Sequence, residues 1–221
     1  MKIILTGTTG FVGTEVLAQV LENPSITSII VLSRKPLPEP VTKNPKVTVK
    51  ILDDFLHYPE SLLQELQGAE ACVWALGQIG GTDMDMYRRI NVDYTMAGVM
   101  AFSNLSPSSG KPFRFIYCSG IAATRDQEKP LWFLQDIRKI RGQVENELLA
   151  HQEEARGKIE VYILRPGFIL TKNFTLQSMV YSLGPSIKVN TLAGAMVDLA
   201  VEGSADGKNI LENGELNRWR K

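Results

Sequence analysis

Gly7-Thr8-Thr9-Gly10-Phe11-Val12-Gly13 follows directly on the apolar run Ile3-Ile4-Leu5 and leads into Val16, Leu17, Val20 and Leu21, spaced at helical intervals. A buried strand, a three-glycine turn and an amphipathic helix, in that order, bring phosphate groups onto backbone N–H donors. The first glycine allows the tight turn. The second lets the backbone approach a pyrophosphate, and the third lets the helix pack on the strand. The helix start adds unpaired N–H groups and the positive end of a dipole. Gly7, Thr9, Gly10, Phe11, Val12 and Gly13 are therefore the first expected contacts to a dinucleotide.

Working outward from this turn, apolar runs and helical periodicity alternate. Strands are expected at Ile3–Thr6, Ser28–Leu32, Val47–Leu52, Ala71–Ala75, Phe113–Cys118 and Val161–Leu164. Helices are expected at Thr14–Glu22, Glu60–Leu66, Asp83–Asn104, Trp132–Gln152 and Leu192–Val201, the last capped by Asn190 or Thr191. The alternation predicts an α/β fold, a doubly wound parallel sheet with helices on both faces. A single domain spanning 1–221 accounts for the length, with the residues after about Gly167 forming a small substrate-side lobe.

Lys and Arg number 24 and Asp and Glu 24, so no net charge steers the chain toward nucleic acid or an anionic membrane. The opening Met1-Lys2-Ile3-Ile4-Leu5-Thr6-Gly7 is too short for a signal-peptide core, and no apolar stretch approaches the roughly 20 residues that span a bilayer. A cytoplasmic protein is expected. Cys72 and Cys118 lie in apolar strand-like runs and read as core thiols. His57 and His151 have no second ligand type at metal spacing, so no metal site is expected.

Three further segments should converge with the glycine turn at the carboxyl ends of the strands. The second strand ends in Ser33-Arg34-Lys35, with no acidic residue to take a ribose 2′-hydroxyl and an Arg suited to a 2′-phosphate, which favours NADP over NAD. The third runs into Leu52-Asp53-Asp54-Phe55, where Asp54 and Phe55 are placed to meet adenine. The fourth delivers Ala75, Leu76 and Gly77, two of them small enough to let a cofactor cross the strand end.

With Asp54-Phe55, Ala75-Leu76-Gly77, Arg89-Ile90-Asn91-Val92-Asp93, Cys118-Ser119-Gly120 and Arg165-Pro166-Gly167 added to the glycine turn, residues 1–200 resemble the short-chain dehydrogenase/reductase superfamily in its extended or atypical branch. The likeness extends to small Tat-interacting-protein-like oxidoreductases. It implies a Rossmann fold, a bound nicotinamide dinucleotide with Pro166 beside it, a small-molecule substrate, and a homodimer through 83–104 and 132–152. Met84, Met86, Met96, Met100 and Phe102 would supply the apolar face of that dimer, and core packing accounts for the same residues equally well.

The catalytic pattern departs from that resemblance. The superfamily's reductases use Tyr and Lys four residues apart on one helix face, the lysine lowering the phenol's pKa for proton exchange. Four residues beyond Tyr58, Tyr87, Tyr94, Tyr117, Tyr162 and Tyr181 stand Leu62, Asn91, Gly98, Ile121, Pro166 and Pro185. The Lys-Gly-x-x-Glu pattern of the relatives aligns with Arg141-Gly142-Gln143-Val144-Glu145, placing Arg141 at the lysine position and Ile137 at the tyrosine position. Arg141 is expected either on ribose or phosphate or on a solvated helix face. Ser119 is the expected catalytic hydroxyl, although the alignment also allows Gly120 at that position. Three functions stay open: an NADP-dependent oxidoreductase without the dyad, a dinucleotide-sensing or binding protein, and a non-redox isomerase or cyclase using the same pocket.

Overall fold

Along β1 (Lys2–Thr6), Ile3 and Leu5 face one side of the sheet and Ile4 the other, and the two sides build separate cores. The structure, a computed structural model, describes residues 1–172 and 184–219. On the Ile3 side, α1 (Phe11–Glu22) contributes Val16, Leu17 and Val20, and α7 (Val189–Glu202) contributes Leu192, Met196 and Leu199. They cover Ile29 and Val31 of β2 (Ser28–Ser33) and Val73 of β4 (Ala71–Trp74).

On the other side, α3 (Glu60–Leu66), α5 (Tyr94–Phe102) and α6 (Gln135–Glu154) pack Leu62, Val99, Phe102, Val144 and Leu148 against Cys72, Trp74, Phe115 and Val161. Each element's apolar face thus has a partner layer, which is why the strands read as continuous apolar runs.

Between these elements lie α2 (Glu39–Thr42), β3 (Val47–Ile51), α4 (Met84–Arg88), β5 (Phe113–Cys118) and β6 (Ile159–Arg165). The chain closes with β7 (Phe168–Leu170), β8 (Ser186–Lys188), α7, β9 (Ile210–Glu212) and α8 (Asn213–Leu216). The main sheet has seven parallel strands in the order β3-β2-β1-β4-β5-β6-β9. Its order reverses between β1 and β4, where Leu5 pairs with Val31 on one side and Val73 on the other. A ligand crevice belongs at that switch point.

Of the expected C-terminal lobe, residues 173–183 lie outside the described residues; β7 and β8 form a separate two-stranded ribbon, while α7 and β9 return to the main fold. The helix expected at 83–104 divides around a π-turn at Arg89–Asp93. The helix expected from Trp132 starts at Gln135, because Leu134 sits at its N-cap with φ +48° and exposed Trp132 and Phe133 precede it. Neither Asn190 nor Thr191 caps α7, which opens from Lys188 and holds both within it. Of the residues assigned to a dimer face, Met96 and Phe102 are buried in the core, while Met86 and Met100 are exposed. Among the described residues no helix is long and apolar enough to cross a membrane, and no cluster of His, Cys, Asp or Glu could hold a metal.

Candidate functional site

The three glycines of the β1–α1 turn do different physical work. Gly7 has φ +68°, and a Cβ there would lie 2.4 Å from the Ala75 backbone. A Cβ at Gly13 would fall 2.1 Å from the Gly7 carbonyl oxygen, so α1 can pack on the turn only without it. Gly10 is exposed, and its Cβ would meet only the Gly7 oxygen at 3.2 Å. Packing therefore forbids a side chain at Gly7 and Gly13, whereas at Gly10 a Cβ would press on one backbone oxygen and otherwise meet open space. Gly10 is also the N-cap of α1 and offers no side-chain cap, so the first-turn N–H groups of Phe11, Val12 and Gly13 stay open. The hydroxyl of Thr14, a residue the sequence motif does not single out, donates to the Thr8 and Gly10 carbonyls at 3.0 and 2.8 Å and holds the turn.

This turn forms one wall of a cleft of about 220 Å³ at the switch point. Of the expected contacts, Gly7, Thr9, Gly10, Ser33, Arg34, Ala75, Leu76 and Gly77 line it, joined by Thr8, Leu32 and Lys35. Thr8 Oγ1 is buried there with no hydrogen-bond partner among the described residues. Arg34 and Lys35 are the only charged residues in the lining. Ser33 serves the loop: its hydroxyl donates to the Lys35 carbonyl at 2.7 Å and accepts from the Lys35 N–H at 3.2 Å. A cradle of free N–H groups that a side chain at Gly10 would cover, flanked by two cations, fits the phosphates of a dinucleotide.

Other expected contacts stand elsewhere. Phe11 is half exposed and faces a neighbouring hollow with Thr14, Glu15, Lys172 and Val189, while Val12 packs against the α1–α7 core. Phe55 is 0% exposed, held edge-on to Trp74 and against Tyr94, so its ring has no surface to offer adenine. The apolar side chain, one residue beyond polar Asp54, turned inward. Asp54 lies outside the cleft; the Leu56 N–H and the Arg89 guanidinium hold its carboxyl below the usual range. Pro166 is buried, and its carbonyl accepts from the Ile121 N–H at 2.9 Å.

Beyond the cleft, the end of β5 is built on buried charge. Ser119 Oγ donates to Glu145 at 2.5 Å, Glu145 is 0% exposed, and Arg165 grips both its carboxylate oxygens while reaching Glu212 at 2.9 Å. The hydroxyl of Ser119, expected to be catalytic, is thus directed at a buried carboxylate. Burial pushes the Cys118 thiol up to about 11 and lifts the Cys72 thiol well above its ordinary value, so both are neutral core thiols.

Arg141 is not on a solvated face. It is mostly buried, with Nε on the Tyr87 hydroxyl at 3.0 Å, Nη1 on the Ser119 carbonyl at 3.4 Å and Nη2 on the Gln78 carbonyl at 3.5 Å. A Cβ on Gly120 would lie 2.6 Å from Nη1, so a side chain there would push the guanidinium tip from this position. Sequence reading named Tyr87 and Asn91 but gave neither a role in the site. Asn91, inside the π-turn, accepts from the Gln78 N–H at 3.1 Å and donates to the Tyr87 carbonyl at 2.8 Å. It ties the loop after β4 to the helix beneath. Asn91→Leu is expected to leave the Gln78 N–H unpaired and cost about 1–3 kcal/mol in urea unfolding; an unchanged midpoint would remove that role.

No protein-family model matches the chain. It is 30% identical over 181 residues to leucinostatins biosynthesis cluster protein T of Purpureocillium lilacinum, an overlap covering 76% of this chain and 65% of that protein. The chain thus spans somewhat less than two thirds of that relative.

Among solved structures it is similar to Gre2 of Candida albicans in complex with NADPH, with a TM-score of 0.74, 16% identity, and 96% of this chain and 77% of that one covered. Yeast methylglyoxal/isovaleraldehyde reductase Gre2 complexed with NADPH gives 0.74 at 15% identity, covering 96% and 77%. UDP-glucuronic acid 4-epimerase from Bacillus cereus in complex with NAD gives 0.70 at 16%, covering 96% and 78%. The likeness is one of fold: the chain has the Rossmann-like α/β fold of these NADPH- and NAD-bound proteins.

Proposed function

We propose that this chain is an atypical member of the short-chain dehydrogenase/reductase superfamily that binds NADPH in preference to NADH and reduces a small organic molecule without a tyrosine acid. The observation that carries the reading is Gly10: the helix behind it is uncapped, and a Cβ there would press on one atom, the Gly7 oxygen at 3.2 Å, with open space beyond it. The N–H groups of Phe11, Val12 and Gly13 would hold the pyrophosphate, Arg34 and Lys35 the 2′-phosphate, and Ala75 and Gly77 leave room for the cofactor at the strand end.

When bound, the nicotinamide supplies hydride. Ile137 stands at the tyrosine position and Ser119 is turned to Glu145, so water provides the proton to the substrate oxygen. Slow turnover follows, because a positioned general acid contributes about 10²–10⁴-fold. The relative's place in a biosynthesis cluster supports a small organic substrate. A cytoplasmic location agrees with two unpaired, neutral thiols.

A second reading, dinucleotide binding without turnover, is favoured by the hydrogen bond that turns the Ser119 hydroxyl to Glu145. Following NADPH absorbance with a panel of aldehydes and ketones separates the two: consumption supports the reductase, and binding without consumption the second. Arg34→Ala is expected to lower NADPH affinity about tenfold or more, the worth of a charge-assisted contact, and to leave NADH affinity unchanged. Equal losses for both would take the 2′-phosphate away from Arg34.

A further inference from the structure

Among the described residues no opposite charge pairs with Arg141. Its three acceptors, the Tyr87 hydroxyl and the Ser119 and Gln78 carbonyls, are all neutral, and the two carbonyls stand at 3.4 and 3.5 Å, the long end of the range. The acid one turn further along α6, Glu145, is taken by Arg165 and Ser119. Of the five guanidinium N–H groups, one on each terminal nitrogen has no partner among the described residues. A cation largely withdrawn from water without a counter-ion is costly to hold. Gly120 lies against it, a Cβ there falling 2.6 Å from Nη1.

The apolar side chains around this point are exposed. Ile79, next to Gln78, is 89% exposed; Ile121, two residues beyond Ser119, is 44% exposed; Phe168, just past Pro166, is 53% exposed. The Ile121 N–H bonds the Pro166 carbonyl, so these segments meet at the carboxyl ends of β4, β5 and β6, alongside the dinucleotide cleft. Exposed apolar surface beside a crevice with one convergent polar group is the make-up of a small-molecule site. Two free N–H groups on a single guanidinium match the two oxygens of a carboxylate.

We propose that Arg141 anchors the carboxylate of an apolar organic acid, whose hydrocarbon body lies against Ile79, Ile121 and Phe168. The acid's role as substrate rests on the dinucleotide reading above; its binding does not. The proposal assigns Arg141 to the substrate instead of the cofactor ribose.

Calorimetric titration of the full chain with hexanoate, hexan-1-ol and acetate, with and without NADPH, tests it. Hexanoate is expected to bind about tenfold or more tighter than the alcohol, the worth of a charge-assisted pair, and tighter than acetate. Arg141→Met should remove the preference for hexanoate over hexan-1-ol and leave NADPH affinity within about twofold, with thermal melting confirming the fold.

Hexanoate binding no tighter than the alcohol overturns the anion site, and that comparison needs no variant to fold. Hexanoate binding no tighter than acetate overturns the apolar part. Unchanged hexanoate affinity in a folded Arg141→Met protein overturns the role of Arg141, as does a tenfold loss confined to NADPH. Should the wild type bind hexanoate in this pattern but no NADPH, the dinucleotide reading fails and the anion site stands.

Discussion

Gly13→Ala is expected to destabilise the chain by about 3 kcal/mol, while Gly10→Val leaves it folded and removes dinucleotide binding. The alanine Cβ at 13 would sit 2.1 Å from the Gly7 oxygen and 2.9 Å from the Thr8 nitrogen, both backbone atoms fixed by the turn. No rotamer relieves that clash, so α1 must move off β1, which puts the cost at the upper end of overpacking. Gly10 differs. Its φ of −90° suits any residue, and a Cβ meets one oxygen at 3.2 Å. A branched side chain there stands over the open N–H groups of the first turn, and losing two charge-assisted contacts costs about a hundredfold in affinity. Urea unfolding and NADPH titration of both variants decide the matter. A Gly13→Ala protein as stable as wild type, or a Gly10→Val protein that binds as wild type does, would contradict this division of labour.

Arg165→Met is expected to cost about 3–5 kcal/mol, the usual price of leaving one partner of a buried ion pair alone. Glu145 would keep only the Ser119 hydroxyl, and Glu212 would lose its partner on the neighbouring edge strand. The double variant Arg165→Met with Glu145→Met should recover much of the loss, because an apolar pair of similar volume is often neutral to stability. Guanidinium unfolding of the two single variants and the double reads this as a cycle. Additive losses would show that the pair is not the unit holding the ends of β5 and β6.

These two variants mark where sequence was and was not enough. The glycine turn could be read directly because its chemistry is local: strand, turn and helix lie within twenty residues, and each glycine's role follows from its neighbours. The other cleft walls were also legible, since each follows a buried strand whose end is marked by small or polar residues. The seventh strand was not, because Ile210–Glu212 is three residues long and gains its identity only by pairing with β6. Ser119 looked available because Glu145 and Arg165 lie 26 and 46 positions away, and no local pattern joins the three. Phe55 and Trp74 meet edge to edge across the core, a contact that alternation along either segment does not reveal. The absence of a lysine at 141 was visible, but the room that Gly120 leaves for the arginine was not.

The central claim is that the cleft between Gly10 and Arg34 is a working dinucleotide site, although no tyrosine of the chain has a lysine four residues on. Titration of the purified chain with NADPH, with Gly10→Val as the folded control, tests it most directly. Saturable binding of one NADPH per chain, lost in the control, is the predicted result. A wild-type protein that binds no more NADPH than the Gly10→Val variant would contradict it.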